Sequence, residues 1–215
     1  MRYPDARILI FAKAPIPGQV KTRLIPRLGA EGAALLYTRL LRRTVSELGG
    51  SGLCPVQCWC APDTRHALFK EFAARYRIRL QTQSGADLGT RMLNAAASAL
   101  GESDSVVLVG ADCPGLGADY LGRALDCLDE GADAVVGPAE DGGYVLLGLK
   151  RAAVELFENM PWGTVEVLAK TRHRLQGLGW RWRELSVLWD VDRPEDLERL
   201  DAGSGLGEGT GSGSR

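Results

Sequence analysis

Short apolar runs and longer amphipathic stretches take turns along this sequence. The first run, ARILIFAKA around Arg7, has five successive apolar residues and ends at a Pro/Gly loop, so it predicts a buried strand and not a helix. From Ala30 to Leu48 the period changes. Ala33, Leu36, Leu40, Leu41, Val45 and Leu48 recur at helical spacing, Arg39, Arg42, Arg43 and Glu47 lie largely opposite, and Gly49 and Gly50 close the helix. The same alternation then predicts CPVQCWCA as strand, 64–76 as helix, IRLQTQ as strand, 89–100 as helix and SVVLVG as strand. A helix over 118–130, strands DAVVGPA and YVLLGL around a turn, and a helix over 165–178 follow. WRELSVLWDV predicts a last strand, ahead of a short helix over 194–200.

Strands separated by helices predict an α/β fold, a mostly parallel sheet with helices on both faces, because right-handed crossovers put them there. The two closely spaced strands around Asp141, Gly142 and Gly143 break the alternation and predict an antiparallel or crossing pair near one edge. With 215 residues, 45% of them apolar, the chain can bury one sizeable core, so a single domain over 1–201 is expected. The remaining 202–215 holds six glycines and one leucine, too little apolar surface to offset ordering entropy, and is expected to be a disordered Gly/Ser tail.

Charge and composition narrow the partners. Against 26 basic side chains stand 27 acidic ones, so a nucleic-acid partner is not expected. The longest apolar stretches fall far short of the roughly 20 residues that span a bilayer. No export signal precedes the first strand, and these features predict a cytoplasmic protein without membrane insertion. Five cysteines without a CxxC pair predict reduced thiols, with Cys54, Cys58 and Cys60 on one face of a strand. His66 and His173 fall on helix surfaces without a metal-binding spacing.

In an open parallel sheet the ligand crevice lies beyond the carboxyl ends of the strands, which selects three loops. The first is FAKAPIPGQVKTRL. Two of the chain's five lysines, Lys13 and Lys21, fall within nine positions there, Arg23 follows, and Gly18 permits close approach to the backbone. This predicts an anion site for phosphate, the other reading being a solvated turn; the spacing is neither a P-loop nor a dinucleotide fingerprint. In the second, VVLVGADCPGL, Asp112 is either a crevice-facing metal ligand or a turn cap. In the third, LWDVDRPEDLERL, Asp190 and Asp192 alternate out of the expected strand, and Asp192 is either a metal ligand or the cap of the next helix. Convergence of Asp112 and Asp192 would make a divalent cation site, with Asp190 beside it. Glu140 and Asp141 sit in a tight turn, where Asp141 either serves as general base or simply makes an Asp-Gly hairpin. Thr164 suits a helix cap, Trp162 either fills core or stacks on a sugar or base, and Arg91 meets phosphate or solvent.

Together FAKAPIPGQVKTRL, GADLGTRM, GADCPGL, GPAEDGGYVLLGL, PWGT and DVDRPEDL resemble a bacterial family of glycosyltransferases associated with radical-SAM or selenium-domain proteins. The resemblance runs from Arg7 to about Leu200. It implies the glycosyltransferase A-type, or nucleotide-diphospho-sugar transferase, fold with its usual Mg²⁺ or Mn²⁺. It further implies nucleotide contact by Lys21 with Lys13 and Arg23, and metal ligation by Asp112 and Asp192; from the residues' own chemistry Gly18 and Arg91 are expected to join the nucleotide site, Lys21 to stabilise the leaving group and Asp141 or Glu140 to act as base. Prolines replace the glycines of the LAGGxGxRMG loop of more distant relatives, and GADCP stands where many metal-dependent members carry DxD. The implied activity is sugar transfer from a nucleoside diphosphate sugar to a small acceptor. The alternative is nucleotidyl transfer from a nucleoside triphosphate to a phosphorylated small molecule. A homodimer is compatible with the sequence.

Overall fold

The computed structural model describes residues 1–203; the expected tail beyond Gly203 lies outside them. Seven strands form one sheet in the order β3-β2-β1-β4-β6-β5-β7. They are β1 (Ala6–Lys13), β2 (Val56–Ala61), β3 (Arg79–Thr82), β4 (Ser105–Val109), β5 (Ala134–Pro138), β6 (Tyr144–Leu149) and β7 (Trp182–Glu184). All are parallel except β6, which runs antiparallel between β4 and β5. The short turn after β5 returns the chain as β6 into the slot beside β4, so the reversed strand is interior to the sheet.

Alternation along each strand sends side chains to opposite faces. Ile8, Ile10, Val107, Cys58 and Cys60 face one core, where α1 (Ile25–Gly50), α2 (Ala67–Tyr76) and α4 (Ala118–Asp129) contribute Leu41, Phe69 and Leu121. Cys54 belongs to the same cluster, and all five cysteines are free thiols. Leu9, Val106 and Leu108 face the other core, covered by α3 (Leu88–Leu100) and α5 (Val167–Gly177). The first helix is broken at Gly29, whose φ of 71° suits glycine, so the continuous stretch begins where the periodicity begins.

The last expected strand is the main departure. WRELSVLWDV pairs with β5 for only three residues, and the segment beyond it carries a single bridge, Ala139 to Leu188. The ladder breaks alongside Gly137 and Pro138, where the pairing of β5 with β6 changes register and Pro138 lacks an N–H. Asp190 and Asp192 therefore sit on a loop and not on a strand. That loop is nonetheless tied down. Val191 donates its amide to the Asp112 carbonyl at 3.0 Å, and Val191 packs with Leu24, Ala33, Leu40 and Leu200, joining α1 to α6 (Pro194–Gly203).

Two glycines mark where the segment before α5 is pressed against its neighbours. A Cβ on Gly89 would fall 2.4 Å from the Phe157 carbonyl oxygen and 2.9 Å from Trp162 Nε1, and one on Gly142 would fall 2.5 Å from the Val165 carbonyl oxygen. Alanine at position 89 gains about 1 kcal/mol of helix propensity but overlaps backbone, a strain of about 1–3 kcal/mol. Gly89→Ala is therefore expected to lower the urea midpoint, the net loss of stability reaching up to about 2 kcal/mol; a raised midpoint contradicts this packing.

Candidate functional site

The site lies at the carboxyl ends of β1, β4 and β5, where three loops meet. After β1 the chain is pinned by Val20 and Leu24, both buried, and between them Lys21 adopts φ 46°, ψ 44°. A left-handed lysine costs about 1–2 kcal/mol, so the surrounding contacts must hold it. Its side chain is only 5% exposed, and Nζ donates to Asp112 Oδ2 at 2.8 Å while lying 3.9 Å from Asp192 Oδ1. Arg23, more than half exposed, bonds the other Asp192 oxygen. Lysine is rarely buried unless paired, and here two acids from distant loops pair it.

Asp192 is paired with Lys21 and Arg23 and not with the amides of α6; Asp196, in the first turn of that helix, reaches back, its Oδ2 accepting the amides of Asp192 at 2.9 Å and Arg193 at 2.7 Å. Asp112 spends one oxygen on Lys21. Asp141 makes a side-chain turn, Oδ1 accepting the Gly143 amide at 2.8 Å, and it also borders the main cavity. Glu140 is turned away, held by two bonds from Arg199 at 2.6 and 3.0 Å. Thr164 bonds the Pro161 carbonyl, and Glu166 takes the cap position of α5.

Three cavities adjoin and share walls, forming one trough across the sheet end. A polar compartment of about 290 Å³ is lined by Lys13, Gln19, Gln83 and Arg91. Gln83 is fixed by bonds from Nε2 to the Trp59 and Ala12 carbonyls at 2.8 and 3.3 Å, and Arg91 Nε bonds the Gly85 carbonyl at 3.0 Å. A central compartment of about 400 Å³ shares Lys13, Gln19 and Gln83 and adds Lys21, Arg23, Asp112 and Asp192. The third, of about 500 Å³, is lined by Asp112, Asp141, Asp190 and Asp192, whose carboxylates are close enough for Asp190 to feel the other three, and by Phe11, Met92, Tyr144 and Trp162. Gly18 has φ 81° in the turn, and Gln19, not Gly18, lines the trough. Sequence reasoning missed Gln83 and Phe11, although both stand at or near the carboxyl ends of strands, where the crevice rule points.

Among the described residues no cluster of three or more His, Cys, Asp or Glu side chains is arranged around one metal position. The pair Asp112 and Asp192, already sharing one cation, nonetheless has the donor chemistry that Mg²⁺ takes when water and phosphate complete its shell. Lys21 would have to yield to it. No described helix is long and apolar enough to cross a membrane.

These features define a nucleotide-diphospho-sugar transferase fold of the glycosyltransferase A type, with cations and carboxylates gathered at the switch point of the sheet. A family model described as "Uncharacterized protein conserved in bacteria (DUF2064)" matches residues 44–164, more than half of the chain, and the chain belongs to this family. It is similar to a solved structure from Desulfovibrio desulfuricans G20, a candidate nucleotide-diphospho-sugar transferase. That pair shares 30% identity over 94% of this chain and 90% of the other, with TM-score 0.82. A cytidylyltransferase from Leptospira borgpetersenii serovar Hardjo-bovis shares the fold at 17% identity, 93% and 86% coverage and TM-score 0.59. So does glucosyl-3-phosphoglycerate synthase from Mycobacterium tuberculosis, solved with Mn²⁺, UDP and glucosyl-3-phosphoglycerate, at 13% identity, 92% and 75% coverage and TM-score 0.51. No curated protein matches the sequence.

Burial and the neighbouring Asp112 and Asp141 carboxylates push Asp190 up to about 6, with Lys21 acting in the opposite sense. The folded state thus holds this proton more tightly than the unfolded chain. The contribution is full below the ordinary aspartate range near 4 and is lost as pH rises through about 6. In chelator-treated protein Asp190→Asn is expected to raise stability at pH 7.5 by on the order of 1 kcal/mol, after screening of a partly exposed group, and to flatten the curve between pH 4 and 6. Urea unfolding across that range checks this; a variant less stable at pH 7.5 contradicts it.

Proposed function

We propose that this chain transfers a sugar from a nucleoside diphosphate sugar to a small-molecule acceptor with the help of a divalent cation. The observation that carries the reading is the Lys21 ammonium held between Asp112 and Asp192 in the central compartment, with Lys13 and Arg23 alongside. A diphosphate fits this charge pattern: Lys13, Lys21 and Arg23 face its oxygens, and its nucleoside side runs toward Gln83 and Arg91. Asp112 and Asp192 would hold Mg²⁺ or Mn²⁺, which when bound neutralises charge on the leaving diphosphate.

The chain's own groups account for the rest. The acceptor oxygen forms a bond to the anomeric carbon while the bond from that carbon to the diphosphate oxygen breaks. The diphosphate leaves with the electron pair, and the acceptor proton passes to Asp141, the exposed carboxylate at the lip of the largest compartment. Lys21 and Arg23, beside the diphosphate in the central compartment, meet the charge as it develops on the leaving group.

Four cations border the trough, Lys13, Lys21, Arg23 and Arg91, enough for a triphosphate, and this favours nucleotidyl transfer to a phosphorylated molecule as the second reading. The largest compartment weighs against it, because four carboxylates are among its lining residues.

Thermal shift with Mn²⁺ and a panel of nucleoside triphosphates and diphosphate sugars tests the choice. A preferred diphosphate sugar at about a hundred times Kd is expected to raise Tm by roughly 5–10 °C. Lys21→Met should weaken it about 10- to 100-fold, the loss of one charge-assisted bond, and Asp112→Asn should remove the Mn²⁺-dependent part of the shift. A triphosphate preference, or a shift indifferent to both substitutions, overturns the reading.

A further inference from the structure

The largest compartment specifies the kind of acceptor, an inference that rests on the sugar-transfer reading. Its wall is formed by Phe11, Met92, Leu108, Tyr144, Val145 and Trp162. Met92, Leu108 and Val145 belong to the buried core and offer carbon alone, apart from one thioether. Tyr144 and Trp162 meet edge to face, ring centroids 6.2 Å apart and planes at 84°, and Phe11 is stacked with Trp59 at 6.5 Å. The rings are braced from behind, since the Trp162 indole is pressed against Gly89. This wall exists before any ligand arrives, which lowers the entropic cost of binding a rigid body against it.

Charge on the same compartment is one-sided. Among the described residues its only cations are Lys13 and Arg23, both shared with the central compartment, and Arg23 is already bonded to Asp192. Asp112 and Asp192 are shared in the same way and paired with Lys21 and Arg23, which leaves Asp141 and Asp190 as the carboxylates that line this compartment and not the central one. A phosphate or carboxylate on the acceptor would face these acids with no cation of its own. A bare polyol would press hydroxyl groups against methionine, leucine and valine side chains that cannot bond them. A flat ring with a single hydroxyl meets neither penalty: the ring lies along the aromatic wall and the hydroxyl reaches the carboxylates.

We infer that the acceptor is an uncharged or cationic alcohol carried on a flat apolar ring system, held by Trp162 and Tyr144 with its hydroxyl toward Asp141. Its O–H proton goes to Asp141 as its oxygen takes the sugar and the nucleoside diphosphate departs.

Calorimetry with 2-naphthol as the probe tests this on protein saturated with Mn²⁺ and the nucleoside diphosphate that the panel selects. Native protein is expected to bind 2-naphthol, 3-phosphoglycerate is expected not to displace it, and Trp162→Ala should weaken it at least tenfold. Trp162→Phe, which keeps a ring, should stay within about threefold of native. Nucleoside diphosphate affinity of each variant reports its folding, and if the alanine variant does not fold, Leu88→Ser, at an exposed residue of the same wall, is expected to weaken the probe severalfold. Nucleotide binding without 2-naphthol binding, 2-naphthol binding indifferent to these substitutions, or displacement by 3-phosphoglycerate overturns the acceptor assignment and leaves the transferase reading standing. Absence of nucleotide binding to native protein overturns both.

Discussion

The buried ammonium of Lys21 holds the carboxyl ends of the sheet together. Asp112 comes from the loop after β4 and Asp192 from the segment before α6, and neither loop has another cation as deeply placed. Left alone, Asp112, Asp141, Asp190 and Asp192 would repel across one cavity; burial first, and this repulsion second, push the proton affinity of Asp190 up. The lysine reduces it at the cost of a left-handed backbone, which Val20 and Leu24 hold by burial on either side. The exposed Arg23 to Asp192 pair is a different kind of contact. Solvent screens it, and it can open for a ligand at little cost.

Close backbone approach is the second constraint, and it shapes the cavity more than its charge. Gly89 and Gly142 let the segment before α5 lie against α3 on one side and the β5–β6 turn on the other. Trp162 is carried on that segment, so the aromatic wall is part of the packed body of the protein and not a loose flap. The same turn that brings Asp141 to the lip sends β6 back between β4 and β5, so sheet topology and placement of the carboxylate have one cause.

Much of this was legible in the sequence because the periodicities were strong. Five-residue apolar runs and a heptad-like stripe over Ala33 to Leu48 reveal the sheet and its longest helix, and the carboxyl-end rule points at Lys21, Asp112 and Asp192 before any coordinates. The last strand was not legible as it is. WRELSVLWDV has strand composition throughout, but its partner β5 ends in Gly137 and Pro138, a feature of another segment that no local pattern reports. Nor could sequence decide whether Asp192 caps a helix, because Asp196 four residues on reaches back to fix the entering backbone, and the Asp192 carboxylate goes to Lys21 and Arg23 instead. Gln83 and Phe11 carried no charge or motif; their place at the trough follows from strand register alone.

The most direct measurement is a crystal structure of the protein with Mn²⁺ and a nucleoside diphosphate. The two phosphates are expected in the central compartment, contacted by Lys21 and bordered by Lys13 and Arg23, with the metal held by Asp112 and Asp192. A nucleotide bound away from that junction, or bound there with Lys21 still locked between the two acids and no metal beside them, contradicts this arrangement.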